Sequence, residues 1–279
     1  MQVKLWGVRG SIPVPGPDAA GYGGNTSCVE VTTGDGCELI LDAGSGIRAL
    51  GAVLEGRCRH VHILLTHLHL DHIQGLTFFA PIFDPAVEVT VWGPPAAGEG
   101  LRERLARFIS NPIFPVEIRD LPARVTFETV PSGPWEVGGV EVRAAPVAHR
   151  GVTLGYRLET DRASLAYLPD HEPGLGEDLD KADPEWISGH SLAADASVLI
   201  HDCQYADPEY PKHCGFGHSR VTDALTFARR ARAERTLLFH HDPGHDEATL
   251  DALGEQAASE YDAGAVEMAR EGLAIDLAR

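Results

Sequence analysis

Residues 60–72 read "HVHILLTHLHLDH". The first half is a short apolar run with the composition of a buried strand, and the second half sets three histidines and an aspartate where that strand should end. The chain holds 14 His in 279 residues. At that frequency three histidines at fixed offsets arise by chance at roughly one starting point in 8,000, so coincidence is a poor explanation. Residues two apart on extended backbone face the same side, so His67 and His69 can converge on one cation while Leu68 turns away. Asp71 and His72 follow where the strand gives way, and a turn can aim them at a second cation. Imidazole and carboxylate donors without thiolate suit Zn2+, with Mn2+ or iron as alternatives. Two such ions about 3.5–4 Å apart activate water and stabilise both attacking and leaving oxygens. Any one of these histidines, taken alone, reads better as a surface loop residue; the joint spacing reverses that preference.

The rest of the composition is compatible with this chemistry. A chain that is 43% hydrophobic and 23% charged is ordinary for a globular protein, and residues 1–279 are expected to form a single domain. The N-terminal "MQVKLWGVRGSIPVPG" meets Gly, Arg and Pro too early for a signal peptide, and no segment approaches 18 uninterrupted apolar residues. The expectation is a cytoplasmic protein without membrane contact. Five cysteines, an odd number with no CxxC spacing, read as reduced bystanders. The net charge of −18 repels polyanions at long range, so an anionic substrate must be attracted locally.

Short β-branched runs recur: "VKLWGV", "CVEVTT", "CELILD", "VEVTVWG", "RVTFETV", "VEVRAAPV", "TLGYRLET", "SLAYLP", "SVLIHD" and "TLLFH". Helical spacing is seen in "IRALGAVL", "EGLRERLARFI", "RVTDALTFARRARA" and residues 246–270. In the third, Val221, Leu225, Ala228 and the stem of Arg232 fall near one stripe. Strands without intervening helices, then helix alternating with strand, fit two sheets between helices better than a doubly wound sheet.

His-x-His-x-Asp-His after a buried strand resembles the metallo-β-lactamase superfamily. That resemblance implies an α/β fold, a four-layer αββα sandwich with a dinuclear metal site, and further ligands downstream. "VRAAPVAHRGVTLGYRLE" looks like the third ligand motif, with His149 beside His67 and His69, and "SLAYLPDHEP" like the strand delivering a bridging carboxylate, Asp170. "TLLFHHDP" supplies the last ligand at His240 or His241. Alignment of Pro243 with the related "THFSP" pattern favours His240.

"LIHDCQY" and "GFGHSR" resemble the "HEATF" and "GHST" segments of ribonuclease Z and its small phosphodiesterase relatives, with Asp202 where Glu is usual. The resemblance makes His218 the general acid for the leaving alkoxide, oriented by Asp202; Asp71 completes the catalytic set. In the competing structural reading Ser219 caps the following helix and His218 is incidental. Asp42 is a candidate for fixing a ligand imidazole. "GSG" at residues 44–46 reads as a tight turn, and Asn25, Thr26 and Ser27 as possible donors to a phosphate.

The function this implies is a dinuclear-metal phosphodiesterase acting on a small, cyclic nucleotide-type substrate, with attack on phosphorus by a metal-bridging hydroxide. The alternatives are ribonuclease Z-like 3′ processing of tRNA, and thioester or lactone hydrolysis, which needs no acid at His218. The acidic stretch over residues 170–198 and the lack of a Gly- and Lys-rich arm argue against nucleic acid. Related enzymes often dimerise, so a homodimer is compatible with this reading.

Overall fold

The computed structural model describes residues 1–33, 37–176 and 178–277. The first strands are β1 (Gln2–Gly7), β2 (Cys28–Thr32), β3 (Glu38–Leu41), β4 (His60–Leu64), β5 (Glu88–Gly93) and β6 (Arg124–Thr129). The next are β7 (Trp135–Val137), β8 (Val140–Pro146), β9 (Leu154–Glu159), β10 (Ser164–Leu168), β11 (Val198–Asp202), β12 (Arg235–Phe239) and β13 (Ala265–Met268). A last strand, β14 (Ala274–Asp276), returns to pair with β1. They form two sheets, ordered β14-β1-β2-β3-β4-β5-β6 and β13-β12-β11-β10-β9-β8-β7. In each sheet an antiparallel meander gives way to parallel pairing, β3 to β6 in one and β10 to β13 in the other.

The parallel strands β3, β10, β11 and β12 are buried on both faces, which is why they read as continuous runs, whereas β5 and β6 alternate towards solvent. Leu39 and Leu41 point into the layer between the sheets, against Tyr156, Leu158, Tyr167, Ile200 and Phe239. Ile40, Ile63, Val89 and Val91 point outward under α1 (Ile47–Leu54). A one-turn helix α2 (Leu70–Ile73) and α3 (Leu101–Ala106) lie on the first half of the chain, and α4 (His190–Ala193), α5 (Val221–Ala231) and α6 (Glu247–Glu260) on the second. Ala166, Leu199 and Leu238 form the outer face that α5 and α6 cover. The result is the expected four-layer αββα sandwich.

Two helical expectations need correction. Arg232 does not extend the buried stripe of α5: it closes the helix in the left-handed region at φ 56°, is exposed, and pairs with Asp195. Ala224, Phe227 and Ala231 complete the stripe instead. The C-terminal helix ends at Glu260 rather than near residue 270, and residues 265–268 pair in parallel with β12. A four-residue segment such as "AVEM" is too short for its periodicity to choose between helix and strand, and the open edge of β12 decides.

The C-terminal ends of β4, β8, β10, β11 and β12 meet at one rim of the sandwich, where Thr66, His149, Asp170, Asp202 and His240 lie in or just beyond those strand ends. Crevices outside the carboxyl ends of strands are where open α/β sheets place ligands.

Candidate metal centre and active site

Beyond β4 the chain bends at Thr66 and is extended again at His69 (φ −66°, ψ 153°), and α2 then turns Asp71 and His72 to a different side. The donor atoms of His67, His69, His149 and Asp170 all lie within 4.8 Å of one another, as do those of Asp71, His72 and His240. Asp170 faces both groups. Its Oδ2 is 3.6 Å from His67 Nε2 and 3.5 Å from His149 Nε2, and its Oδ1 is 3.0 Å from His72 Nε2 and 3.3 Å from His240 Nε2. All seven residues singled out as ligands in the sequence are thus brought to one place.

The orientation of the imidazoles bears on what the cluster can hold. Nδ1 of His72 donates to Asp42 Oδ2 at 2.8 Å, Nδ1 of His67 to Thr66 Oγ1 at 3.0 Å, Nδ1 of His149 to the Gly217 carbonyl at 2.7 Å, and Nδ1 of His240 to Gln204 Oε1 at 3.0 Å. With Nδ1 carrying the proton, each Nε2 keeps its lone pair for the interior of the cluster. His69 turns its other nitrogen inward, with Nδ1 at 3.2 Å from His149 Nε2. His67 Nε2, His72 Nε2 and Asp170 Oδ1 are buried without a well-oriented hydrogen-bond partner. An orphaned buried polar atom costs about 1–3 kcal/mol, and shared coordination of a cation removes that cost. The donor set therefore fits divalent metal.

The charges agree with this. Burial, reinforced by neighbouring imidazoles, holds His67 well below the usual histidine range, and burial lowers His69 and His149 as well. At Asp170 burial favours the acid, but His240, His72 and His67 outweigh it and keep the carboxylate ionised. At His72 burial opposes a proton and is overcome by Asp170, Asp71 and Asp42. Positive charge is thus demanded between these carboxylates.

The carboxylate Asp42 is the hub expected of it. Besides His72 it accepts from Thr66 N at 2.8 Å and Tyr167 Oη at 3.0 Å, from a backbone at φ 60°. His240 rather than His241 faces the cluster. β12 ends at Phe239, His240 takes φ 62°, and His241 Nε2 points away to the Ala269 carbonyl at 2.8 Å.

His218 overlooks both groups, its ring centroid 4.9 Å from that of His149 and 5.0 Å from that of His240. Its Nδ1 is 2.7 Å from Asp202 Oδ2. Burial works against the imidazolium, but Asp202, aided by Asp170 and Asp71, raises its pKa to about 9. Ser219 is not the helix cap: Arg220 holds that position, while Ser219 Oγ donates to the His171 carbonyl at 2.6 Å.

Residues 38–241 match the family model of the beta-lactamase superfamily domain. The chain belongs to the metallo-β-lactamase superfamily. It is a hydrolase of that superfamily with a His/Asp cluster able to bind divalent metal. A protein named ribonuclease Z from Mycobacterium bovis strain BCG is 29% identical over 272 residues, covering 89% of this chain and 89% of its own length. Among solved structures, Zn2+-bound PqqB from Methylobacterium extorquens superposes with a TM-score of 0.72 at 18% identity, over 99% of this chain and 100% of that one. A diphosphatase from the PhnP family superposes with a TM-score of 0.70 at 20% identity, over 99% and 97%. These two likenesses show the fold.

Within this superfamily member the site has supports that no local pattern announced. Ser11, at φ 60°, donates its backbone N–H to Asp71 Oδ2 at 2.8 Å. Glu172 is buried two residues after Asp170 and accepts from Gly215 N, Gly217 N and Tyr210 Oη, each at 2.7 Å. It thereby fixes the loop whose Gly217 carbonyl orients His149. Gly217 sits at φ 96° with the His149 ring 2.3 Å from where a Cβ would be, so no side chain fits there. One minor expectation is overturned. Thr26 and Ser27 are fully buried, and Asn25 and Thr26 are engaged by Glu271 and Ser45 rather than open to a phosphate. The stretch at residues 44–46 does make the expected turn, with Ile47 N donating to the Gly44 carbonyl at 3.1 Å, and Gly44 also serves close packing, since a Cβ there would lie 2.3 Å from the Asp71 carbonyl. Among the described residues no helix is long and apolar enough to cross a membrane.

Proposed function

We propose that this chain is a dinuclear-metal phosphodiesterase acting on a small, cyclic nucleotide-type phosphodiester. The observation that carries the reading is the His218–Asp202 pair standing over the His/Asp cluster. His67, His69, His149 and Asp170 would hold one ion and Asp71, His72 and His240 the other, with Asp170 facing both. When bound, the ions, Zn2+ first with Mn2+ or iron as alternatives, supply an activated water and offset the charge on the phosphate. The protein supplies the rest. Asp202 engages His218 through Nδ1, which leaves Nε2 as the face that gives up a proton. The raised pKa keeps His218 protonated at neutral pH, ready to donate to the departing alkoxide oxygen. Asp71 is held in place by Ser11 N at 2.8 Å and lies 3.2 Å from His240 Nε2. A cytoplasmic setting belongs to the same reading, in keeping with Cys28, Cys58, Cys203 and Cys214, which form no disulfide.

A second reading, tRNA 3′ processing, is favoured by one observation, the similarity to proteins named ribonuclease Z. The net charge of −18 favours the small substrate. Assay of bis-p-nitrophenyl phosphate, cyclic mononucleotides and a precursor tRNA side by side decides between them: the small diesters should be turned over best, and a preference for tRNA overturns the proposal. Thioester hydrolysis is separated by His218→Ala, which should lower diester turnover at least ~10²-fold and leave thioester turnover nearly unchanged.

A further inference from the structure

A cleft of about 250 Å3 opens beside His67 and His69, lined by Leu68, Pro94, Pro95, Ala96, Val152 and two arginines, Arg104 and Arg150. Of the described residues lining it, none is acidic. In a chain with 41 Asp and Glu against 23 Lys and Arg, two guanidinium groups facing one cleft are the local attraction that a net charge of −18 requires for an anionic substrate.

Each arginine is anchored by one hydrogen bond to a backbone carbonyl. Arg150 Nε donates to the Gly215 carbonyl at 3.0 Å, and its guanidinium lies 4.9 Å from the centroid of Phe216. Gly215 and Gly217 are themselves pinned by the buried Glu172, so the Arg150 plane is set by a rigid loop. Anchoring through Nε and one ring face leaves the terminal fork for a ligand, the geometry suited to bidentate recognition of phosphate. Arg104 anchors to the Pro94 carbonyl, and its Nε is buried without a partner. The prolines, Ala96 and Val152 provide apolar surface for the body that carries the anion.

The scissile phosphate belongs at the metal cluster, so these groups have another task. We propose that the cleft is a subsite for a second anionic group on the substrate, a phosphate carried on the part of the molecule next to the scissile diester, with Arg150 as the residue that selects for it. This rests on the phosphodiesterase reading and narrows it to small substrates bearing an additional phosphate.

The test uses two matched esters with metal-loaded protein: thymidine 5′-(p-nitrophenyl phosphate), and the same compound carrying a 3′-phosphate. The 3′-phosphorylated ester should have a kcat/KM about tenfold higher, mainly through KM, a gain of the size expected for a partly exposed charge-assisted contact. Arg150→Ala should erase that gain while changing the plain ester less than about threefold, and Arg150→Lys should restore part of it. Equal kcat/KM for the two esters, or an equal loss on both in Arg150→Ala, overturns the subsite. Calorimetric binding of thymidine 3′,5′-bisphosphate against thymidine 5′-monophosphate reads the same preference without turnover. If neither ester is hydrolysed the phosphodiesterase reading fails, while an Arg150-dependent preference for the bisphosphate still supports the subsite and its absence still overturns it. A gain that appears only when the 3′-phosphate is part of a dinucleotide linkage assigns the cleft to a polynucleotide and overturns the small-substrate proposal.

Discussion

Asp202 Oδ2 lies 2.7 Å from His218 Nδ1, and the same carboxylate accepts the backbone N–H groups of His171, Gln204 and Ser219 at 3.0–3.1 Å. One buried group thus sets both the direction of the His218 ring and the course of the loop bearing it. Asp202→Asn replaces one accepting oxygen with a donor, so turnover of a small diester should fall about 10- to 100-fold with KM little changed. Asp202→Glu, which restores the carboxylate, should recover much of that loss. Steady-state kinetics on the two variants checks the ordering; an unchanged kcat in Asp202→Asn would contradict it.

Asp42 reaches only one of the two ligand groups directly, through His72 Nδ1 at 2.8 Å. Asp42→Asn should therefore weaken the ion near Asp71, His72 and His240 by about 10- to 100-fold and disturb the other less. Metal titration resolving two affinities reads this. Equal weakening at both groups would mean that Asp42 acts through the whole fold, through Thr66 and Tyr167, rather than through His72.

Glu172 acts on the other side. Glu172→Gln removes an acceptor from Gly215 N, Gly217 N or Tyr210 Oη, and the loop that orients His149 should loosen. The expected result is weaker metal at the group containing His149, with faster proteolysis around residues 215–217. Wild-type metal affinity in this variant would show the loop to be held by other contacts.

Chelation should lower thermal stability. Ions bound at 100 times their dissociation constant add about 2.7 kcal/mol per site, and at about 2–4 °C per kcal/mol each occupied site should raise the melting midpoint by roughly 5–10 °C. Differential scanning calorimetry with and without chelator measures the difference. Identical midpoints would contradict cation binding to the folded chain.

How legible the molecule is in its sequence depends on where the physics is local. The most deeply buried strands stand out because runs such as "ELIL" and "SLAYL" are apolar at every position but the first. His67, His69, Asp71 and His72 stand out because six consecutive residues hold all four. His149, Asp170 and His240 carry no local pattern and are reached through family resemblance alone, since folding brings them together from three separate strand ends. Ser11 acts through its backbone, Gln204 and Glu172 through contacts across 36 to 45 residues, and no spacing rule reveals such partners. β7 and β14, three residues each, are too short for periodicity to register.

Metal content per chain bears most directly on the central claim, because both oxygens of Asp170 face ligand groups on opposite sides. Elemental analysis of metal-replete, exhaustively dialysed protein should find two divalent ions per chain, falling to one or fewer in Asp170→Asn. Wild-type protein that retains no tightly held ion would show that these imidazoles and carboxylates are gathered for some other purpose.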